Sequence, residues 1–201
     1  MKACAQIGTA SSIWVVVNKK RPLSPKSYVP APLVVPAVAH PGGQVMRKDA
    51  ASAMATMVAA AAKEGAGVIG ISSAYRSYAT QVEVFNNGVA KTSPTEALKW
   101  YAKPGHSEHQ TGLTADLVPI GNSACADHRC IGKVSQGRWL AKNSWRFGFI
   151  VRYEEGRTAV TGYNYEPWHV RYVGVELATD YHQSGFHTLE EYFGLKPAPT
   201  Y

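Results

Sequence analysis

Apolar residues recur along the chain with two different periods, which predict a mixed α+β fold. Short apolar and β-branched runs predict strands at 13–17, 68–71, 113–118, 149–151 and 168–173. Helical spacing predicts helices at 47–64, 78–87, 94–101, 137–147, 174–181 and 188–193. Because these elements mix without a regular β-α-β order, we expect one compact domain over residues 1–201, with a small central antiparallel sheet flanked by helices.

Local signals mark several of these boundaries. The helix at 47–64 carries an apolar face that is rich in alanine and methionine, and Gly65 is its expected C-cap. Ser77 is the expected N-cap of the helix at 78–87, and Ser93 opens a capping box before Pro94. Residues 22–44 contain six prolines, so we expect an extended arm laid across the core.

Composition narrows the class of protein. With 201 residues and 45% hydrophobic content, the chain can bury a sizeable core. The net charge of +7 suits an anionic environment such as a bacterial wall. The basic residues are scattered, however, and Lys19–Arg21 is their only run, which favours ordinary solubilising charge over a nucleic-acid site. Apolar runs such as Ile13–Val17 are too short to span a membrane.

Three cysteines leave several interpretations open. Cys125 and Cys130 could close a disulfide loop, remain free thiols, or contribute with His128 to a metal site that would lack a fourth ligand. Cys4 is expected to be unpaired. The start of the chain has no recognisable signal peptide, so Met1 either begins a trimmed mature domain or the protein is released by another route, such as phage lysis.

Two histidine–carboxylate pairs carry the candidate chemistry. His109 and Asp116 are joined by a run that contains Gly112, and Glu166 precedes His169 by three residues. Two imidazoles and one carboxylate, His109, Asp116 and His169, are the ligands of an open catalytic zinc site, and Glu166 would be the base beside it. Taken alone, Asp116 could instead cap a turn at the end of its strand.

The remaining histidines fit the site less well. His106 is expected in the wall of the site rather than on the metal. A surface or structural position is expected for the histidines without a partner at ligand spacing, which are His40, His128, His182 and His187.

Longer motifs around these residues resemble a known family. Ser107-x-His109-x-x-Gly112-x-x-x-Asp116, followed by Glu166-x-Trp168-His169, resembles the zinc D-alanyl-D-alanine carboxypeptidases, the M15 peptidase group that includes the VanY-type enzymes. The segments 17–23 and 28–30, the motif 73–77 and the segment 168–174 are similar to further family motifs. The resemblance therefore covers most of the chain.

This resemblance implies a fold and roles for individual residues. The fold would be of the hedgehog/DD-peptidase type with the metal on the sheet, and one Zn²⁺ per chain would be bound by His109, Asp116 and His169. Glu166 would be the general base, and Arg76 would hold the developing oxyanion or the substrate carboxylate. The residues expected to line the peptide pocket are Gln81, Ser107, Tyr153 and Trp168. For the two aromatic residues, packing in the core is the competing interpretation.

The expected reaction is removal of the C-terminal D-alanine from peptidoglycan stem peptides, with D,D-cleavage preferred over L,D-cleavage. A lysin-type endopeptidase with the same metal site is the first alternative, and a non-catalytic muropeptide-binding module is the second. We expect a monomer that acts outside the cytoplasm, as a secreted, periplasmic or wall-associated protein whose signal or anchor is absent from this chain. We expect neither nucleic-acid binding nor a transmembrane segment.

Overall fold

A four-stranded antiparallel sheet forms the centre of the molecule, which a computed structural model describes from residue 5 to residue 201. The strands are β1 Leu33–Val34, β2 Met46–Arg47, β3 Val68–Ser73, β4 Thr114–Ile120, β5 Phe149–Tyr153 and β6 Glu166–Tyr172. The helices are α1 Lys48–Lys63, α2 Tyr78–Lys91, α3 Pro94–Ala97, α4 Ser135–Asn143, α5 Thr158–Thr161, α6 Val175–Gln183 and α7 Leu189–Tyr192. Short 3₁₀ helices lie at Glu108–Thr111, His128–Lys133 and Ser144–Phe147. The predicted α+β class with a small antiparallel sheet is confirmed.

The order of strands in the central sheet is β3-β4-β6-β5, so β4 and β6 are neighbours although β5 lies between them along the chain. Their register pairs Asp116 directly with His169. Directly opposed residues of an antiparallel pair present their side chains on the same face, about 5 Å apart. The sheet thus brings two predicted site residues together.

An irregularity in the sheet brings a third predicted site residue, Glu166, to the same place. A regular strand would turn Glu166 and His169, three residues apart, to opposite faces. The pairing of β5 with β6 is irregular between Val151 and Tyr153, and Tyr153 lies opposite Glu166. Such irregularities reorient side chains next to active sites. Here the carboxylate of Glu166 ends 3.6 Å from the imidazole of His169.

The main core lies between this sheet and α1. Four residues of the predicted apolar face of α1 are fully buried: Ala50, Met54, Met57 and Ala61. The helix was expected at 47–64, and Gly65 follows its C-cap residue in the left-handed region at φ +81°. The helix thus begins and ends one residue inside its expected bounds, and Gly65 lies one position beyond the C-cap, Glu64.

The prediction of a strand at Ile13–Val17 is wrong. Val15 and Val17 are buried, as the apolar run implied, but the segment is irregular. The carbonyl oxygens of Ile13 and Val15 accept hydrogen bonds from Nη2 of Arg171, at 3.0 and 2.8 Å. A buried guanidinium therefore takes the place of a neighbouring strand as hydrogen-bond donor.

Two helices differ from their predicted lengths. The helix expected at 94–101 ends at Ala97, although Ser93 caps it as predicted by accepting from the backbone N–H of Glu96. The ring of Tyr101, which was expected inside this helix, packs closely against Gly88 of α2. The helix expected at 137–147 is α4 followed by the 3₁₀ helix at Ser144–Phe147. Helix α2 begins after its predicted cap Ser77 and extends to Lys91.

The proline-rich residues 22–44 are mostly irregular, and their regular part is β1, which pairs with β2. The side-chain amide of Gln110 donates to the carbonyl oxygens of Lys26 and Tyr28, at 2.7 and 3.0 Å. The arm is thus held against the segment that carries His109.

Cys125 and Cys130 form a disulfide, with their Cα atoms 5.5 Å apart. Of the three interpretations open from the sequence, the structure therefore contains the disulfide. Cys4 lies outside the described residues. Between residues 5 and 201, no helix combines the length and the apolar character needed to cross a lipid bilayer.

Candidate metal centre and active site

Side chains from three elements meet over β4 and β6. His109 comes from the 3₁₀ helix at Glu108–Thr111, Asp116 from β4 and His169 from β6. One potential ligand atom from each of them lies within 4.8 Å of the others. Gly112 ends the 3₁₀ helix at φ +69°, a conformation that costs glycine little and that leads the chain directly into β4. The structure therefore assembles the predicted set of metal ligands.

Hydrogen bonds on the far side of each imidazole fix which nitrogen faces the cluster. Nδ1 of His109 lies 2.6 Å from the carbonyl oxygen of Ala74, which can only accept, so Nδ1 carries the proton and Nε2 faces Asp116. Nε2 of His169 lies 3.3 Å from the carboxylate of Glu108, and Nδ1 faces Asp116. Metal-binding histidines characteristically donate their second ring N–H to a carbonyl or carboxylate in this way.

The distances inside the cluster match those between ligands of a tetrahedral ion. Nε2 of His109 and Nδ1 of His169 each lie 3.3 Å from an oxygen of Asp116. Ligands about 2.0–2.2 Å from a tetrahedral ion are separated from each other by roughly 3.3 Å. Within residues 5–201, the buried Oδ1 of Asp116 lacks a hydrogen-bond partner. The donor set, two imidazoles and a carboxylate, suits zinc.

Electrostatics in the cluster follow from burial and close charges. Burial, reinforced by Arg76, lowers the pKa of His109, which favours the neutral ring that a metal requires. Burial would raise the pKa of Asp116, but His109 and His169 outweigh it and hold the pKa well below the usual range. For His169 burial acts to lower the pKa, yet its carboxylate neighbours raise it to about 9 when no cation is bound.

Glu166 has the position and the environment of a proton acceptor. Its Oε2 lies 3.6 Å from Nδ1 of His169, and the residue is only 6% exposed. Burial raises the pKa of Glu166 to about 8, against the opposing effect of His169. A carboxyl group with a pKa near neutrality can both take and return a proton at physiological pH.

Arg76 is a fixed cation at the edge of the same cluster. Its Nη1 lies 3.8 Å from Oδ2 of Asp116 and donates to Oγ of Ser73 at 3.0 Å, while Nε donates to Oε1 of Gln81 at 3.1 Å. Burial lowers the pKa of Arg76, and the carboxylates of Asp116 and Glu166 oppose this effect. The guanidinium is thus held by two neighbours and points at the site.

Gln81 lies behind Arg76 and is fully buried. Its amide also donates to the carbonyl oxygen of Ala102 at 2.8 Å. The structure therefore puts Gln81 in a position to orient Arg76, not on the pocket wall where the sequence placed it.

The cluster opens into a pocket of about 590 Å³. Ser107, Tyr153 and Trp168, expected on its wall, all line it, together with Trp100 and Tyr163. The ring of Tyr153 lies 4.7 Å from that of His169, centroid to centroid. Tyr153 and Trp168 are only 6% and 7% exposed. Each of these two aromatic side chains is therefore buried and also lines the pocket.

The disulfide loop supplies part of the pocket that the sequence did not indicate. His128, expected at the surface, lines the pocket and meets Trp168 edge to face, with ring centroids 5.0 Å apart. Arg129 lies beside it on the rim. His106, expected in the site wall, is turned away and bonds through Nδ1 to the carbonyl oxygen of Asn18 at 2.8 Å.

Glu108 is the main feature of the site that sequence reasoning missed. It is 1% exposed, and its Oε1 accepts from Nε of Arg152 and Nη1 of Arg171, both at 2.9 Å. Burial would raise the pKa of Glu108, but the two guanidinium groups outweigh it and lower the pKa far below the usual range. The available signal was an arginine inside each of two apolar strands, which implies a buried acidic partner.

Comparison with known proteins agrees with this geometry. A family model for VanY, described as D-alanyl-D-alanine carboxypeptidase, matches residues 43–175, which include Arg76, the three candidate ligands and Glu166. A D-alanyl-D-alanine carboxypeptidase of Enterococcus faecalis (strain ATCC 700802 / V583) is 40% identical over 135 residues, which are 63% of this chain and 47% of that relative. The chain thus spans about half the length of this relative.

Solved structures show the same similarity over almost the whole chain. The structure of the LdcB LD-carboxypeptidase superposes with a TM-score of 0.83 at 38% identity, covering 93% of this chain and 88% of the other. A vancomycin-resistance D,D-pentapeptidase, VanY, in complex with Zn(II), superposes with a TM-score of 0.75 at 32% identity, covering 89% and 97%.

Proposed function

The chain belongs to the VanY family of D-alanyl-D-alanine carboxypeptidases, and we propose that it removes the C-terminal D-alanine of peptidoglycan stem peptides with one zinc ion held by His109, Asp116 and His169. The observation that carries the proposal is the buried His-Asp-His cluster with Glu166 only 3.6 Å from His169. A cluster with three protein ligands and a separate carboxylate leaves a coordination position for the reaction.

Glu166 is the proposed general base. Zinc, when bound, supplies Lewis acidity, which makes water more acidic and polarises a peptide carbonyl. Glu166 accepts a proton from the attacking water and returns it to the departing amine of D-alanine. The burial of this carboxylate supports the role, because it raises the affinity of Glu166 for the proton that it must carry.

Arg76 is the proposed anion-binding residue. A guanidinium held by Ser73 and Gln81 stands ready to bind either the terminal carboxylate of the peptide or the oxygen that becomes negative as the bond breaks. Both functions require a cation that does not reorganise during the reaction. Ser107, Tyr153 and Trp168 form the proposed contacts to the rest of the peptide, and Gln81 acts through Arg76.

D,D-cleavage of pentapeptide stems is our first candidate, supported by the description of the family model and by the name of the Enterococcus faecalis relative. L,D-cleavage of tetrapeptide stems is the second candidate. The similarity to the LdcB LD-carboxypeptidase over 93% of the chain favours it. The two reactions differ in the stereochemistry of the penultimate residue, so the same metal site and base serve both.

Relatives named as D-alanyl-D-alanine carboxypeptidases point to work on the cell wall, outside the cytoplasm. The Cys125–Cys130 disulfide supports this location, because disulfides persist in oxidising compartments. We propose a monomer whose partner is the peptidoglycan stem, without a role in nucleic-acid binding.

Mass spectrometry of defined muropeptides tests the proposal. Pentapeptide and tetrapeptide stems are incubated with the protein, with and without a chelator, and beside the Glu166→Ala variant. We expect the loss of one terminal alanine. The chelator should abolish this loss, and so should the Glu166→Ala variant, which should still bind zinc. The stem that is attacked distinguishes D,D-cleavage from L,D-cleavage. Cleavage inside the stem would replace the proposal with an endopeptidase, and unchanged activity of Glu166→Ala would remove Glu166 as the base.

A further inference from the structure

Glu108 lies behind a proposed metal ligand and outside the reaction described above. We infer that Glu108 is a positioning residue. It fixes the ring of His169 so that Nδ1 faces the metal, whereas a ring without this partner could present either nitrogen. The inference rests on the proposed zinc site and concerns how one of its ligands is oriented.

The two carboxylate oxygens of Glu108 have different partners. Its Oε1 is fully used by Nε of Arg152 and Nη1 of Arg171, each at 2.9 Å. Its Oε2 faces Nε2 of His169 at 3.3 Å. A carboxylate held in this way can only accept, so Nε2 of His169 must carry a proton and Nδ1 is left to bind the ion.

Further buried charged groups hold Glu108 in place. Arg152 also donates to both oxygens of Glu190 on α7, at 2.8 and 3.0 Å, and Glu190 accepts from the side-chain amide of Asn18 at 2.8 Å. Glu108, Arg152, Arg171 and Glu190, the buried ion network, have completely buried side chains. Opposite charges balance within the network, so the position of Glu108 is set from several directions at once.

The buried ion network carries a desolvation cost. Removing four charged groups from water is costly, and packed apolar residues in their place are often equally or more stabilising. The network is therefore poorly explained by stability alone. It is well explained by the need to keep one ring at the correct angle, since a metal ligand must be held within a few tenths of an ångström.

A glutamine at this position should reverse the effect. Its carbonyl oxygen would remain with Arg152 and Arg171, because these guanidinium groups need an acceptor. Its amide N–H₂ would then face Nε2 of His169 and demand a lone pair there. The proton of the neutral ring would move to Nδ1, the atom that must bind the ion.

The first test uses the unaltered protein loaded with zinc. Ring ¹⁵N chemical shifts in long-range ¹H–¹⁵N spectra distinguish a protonated from a metal-bound nitrogen. We expect His169 to be protonated at Nε2 and metal-bound at Nδ1, and His109 to show the opposite arrangement. Zinc on Nε2 of His169 would overturn the inference without any variant having to fold.

The second test compares zinc dissociation constants, measured by competition with a chromophoric chelator. Glu108→Gln is expected to weaken zinc binding by between about 10- and 100-fold. Glu190→Gln is the matched control, because it changes the same network by the same chemistry without touching His169, and its constant should change less than threefold. Equal losses in both variants, or no loss in Glu108→Gln, would reduce Glu108 to a structural role. Failure of the unaltered protein to bind stoichiometric zinc would instead refute the proposed function.

Discussion

Glu166 offers the sharpest test of the electrostatics of the site, and it can be performed without substrate. In protein kept free of metal by a chelator, the pKa of Glu166 is about 8, whereas the same group in the unfolded chain has a pKa of 4.5. The folded state therefore binds one more proton than the unfolded state between these values. The stabilisation is fully present below pH 4.5 and is lost as the pH rises through 8, so the free energy of unfolding falls over this range. Glutamine cannot ionise, so Glu166→Gln should lack this loss.

The size of the effect follows from the separation of the two pKa values. A difference of about 3.5 pKa units corresponds to roughly 5 kcal/mol when each unit is about 1.36 kcal/mol. About 4 kcal/mol of this total develops between pH 5 and pH 9, so the metal-free variant should gain that much over the parent across this range. His169 titrates in both proteins, and its contribution cancels in part, because Asp116 and Glu108 still raise its pKa when Glu166 is replaced.

Urea unfolding, followed by tryptophan fluorescence at several values between pH 5 and pH 9, measures this difference. Glu96→Gln is the control, because hydrogen bonds from Lys99 and Trp100 lower the pKa of the exposed Glu96, whereas the pKa of Glu166 is raised. That variant should show no trend with pH. A gain for Glu166→Gln that stays constant within about 0.5 kcal/mol from pH 5 to 9 would refute the assignment of a raised pKa to Glu166.

Three further outcomes are expected. His109→Ala should lose stoichiometric zinc in metal analysis, because two remaining ligands hold the ion poorly; full zinc content would contradict the ligand assignment. Arg76→Lys should retain zinc and lose about 100-fold in kcat/KM, since an ammonium cannot reproduce a guanidinium fork held by two neighbours; a loss below threefold would exclude Arg76 from anion binding. Reduction of the Cys125–Cys130 disulfide should raise KM several-fold at constant kcat and zinc content, because the loop carries His128 on the pocket wall. A Cys125→Ser/Cys130→Ser double variant should reproduce this KM and no longer respond to reductant, and a KM unaffected by reduction would separate the loop from substrate binding.

The sequence predicted those parts of the candidate site that lie in short contiguous motifs. His109 and Asp116 lie on one continuous segment, and Glu166 and His169 on another, so residue type and spacing identified both pairs. The register that sets Asp116 opposite His169, and the irregular pairing beside Glu166, depend on contacts between distant strands. Spacing along the chain carries no information about such contacts.

Buried charges were the main source of error for the fold and for the site. Ile13–Val17 has the composition of a strand, but its carbonyl groups are satisfied by Arg171, which lies far away in the sequence. Glu108 stands next to a predicted ligand and was overlooked, because its partners Arg152 and Arg171 are brought together only by the sheet. An apolar pattern predicts burial well and hydrogen-bond partners poorly.

The charges around the site explain why the buried ion network and the metal cluster coexist so closely. The network contains two carboxylates and two guanidinium groups, so it is neutral and adds no net charge beside the metal. In the cluster, ionised Asp116 and Glu166 carry two negative charges, and Arg76 is the permanent cation that faces them among residues 5–201, which leaves one excess negative charge when His169 is neutral. Without a cation, the raised pKa values of Glu166 and His169 keep a proton on each residue at neutral pH, and the two protons more than offset this excess. A divalent ion must displace them, so zinc binding should release protons and strengthen as the pH rises from 6 to 9.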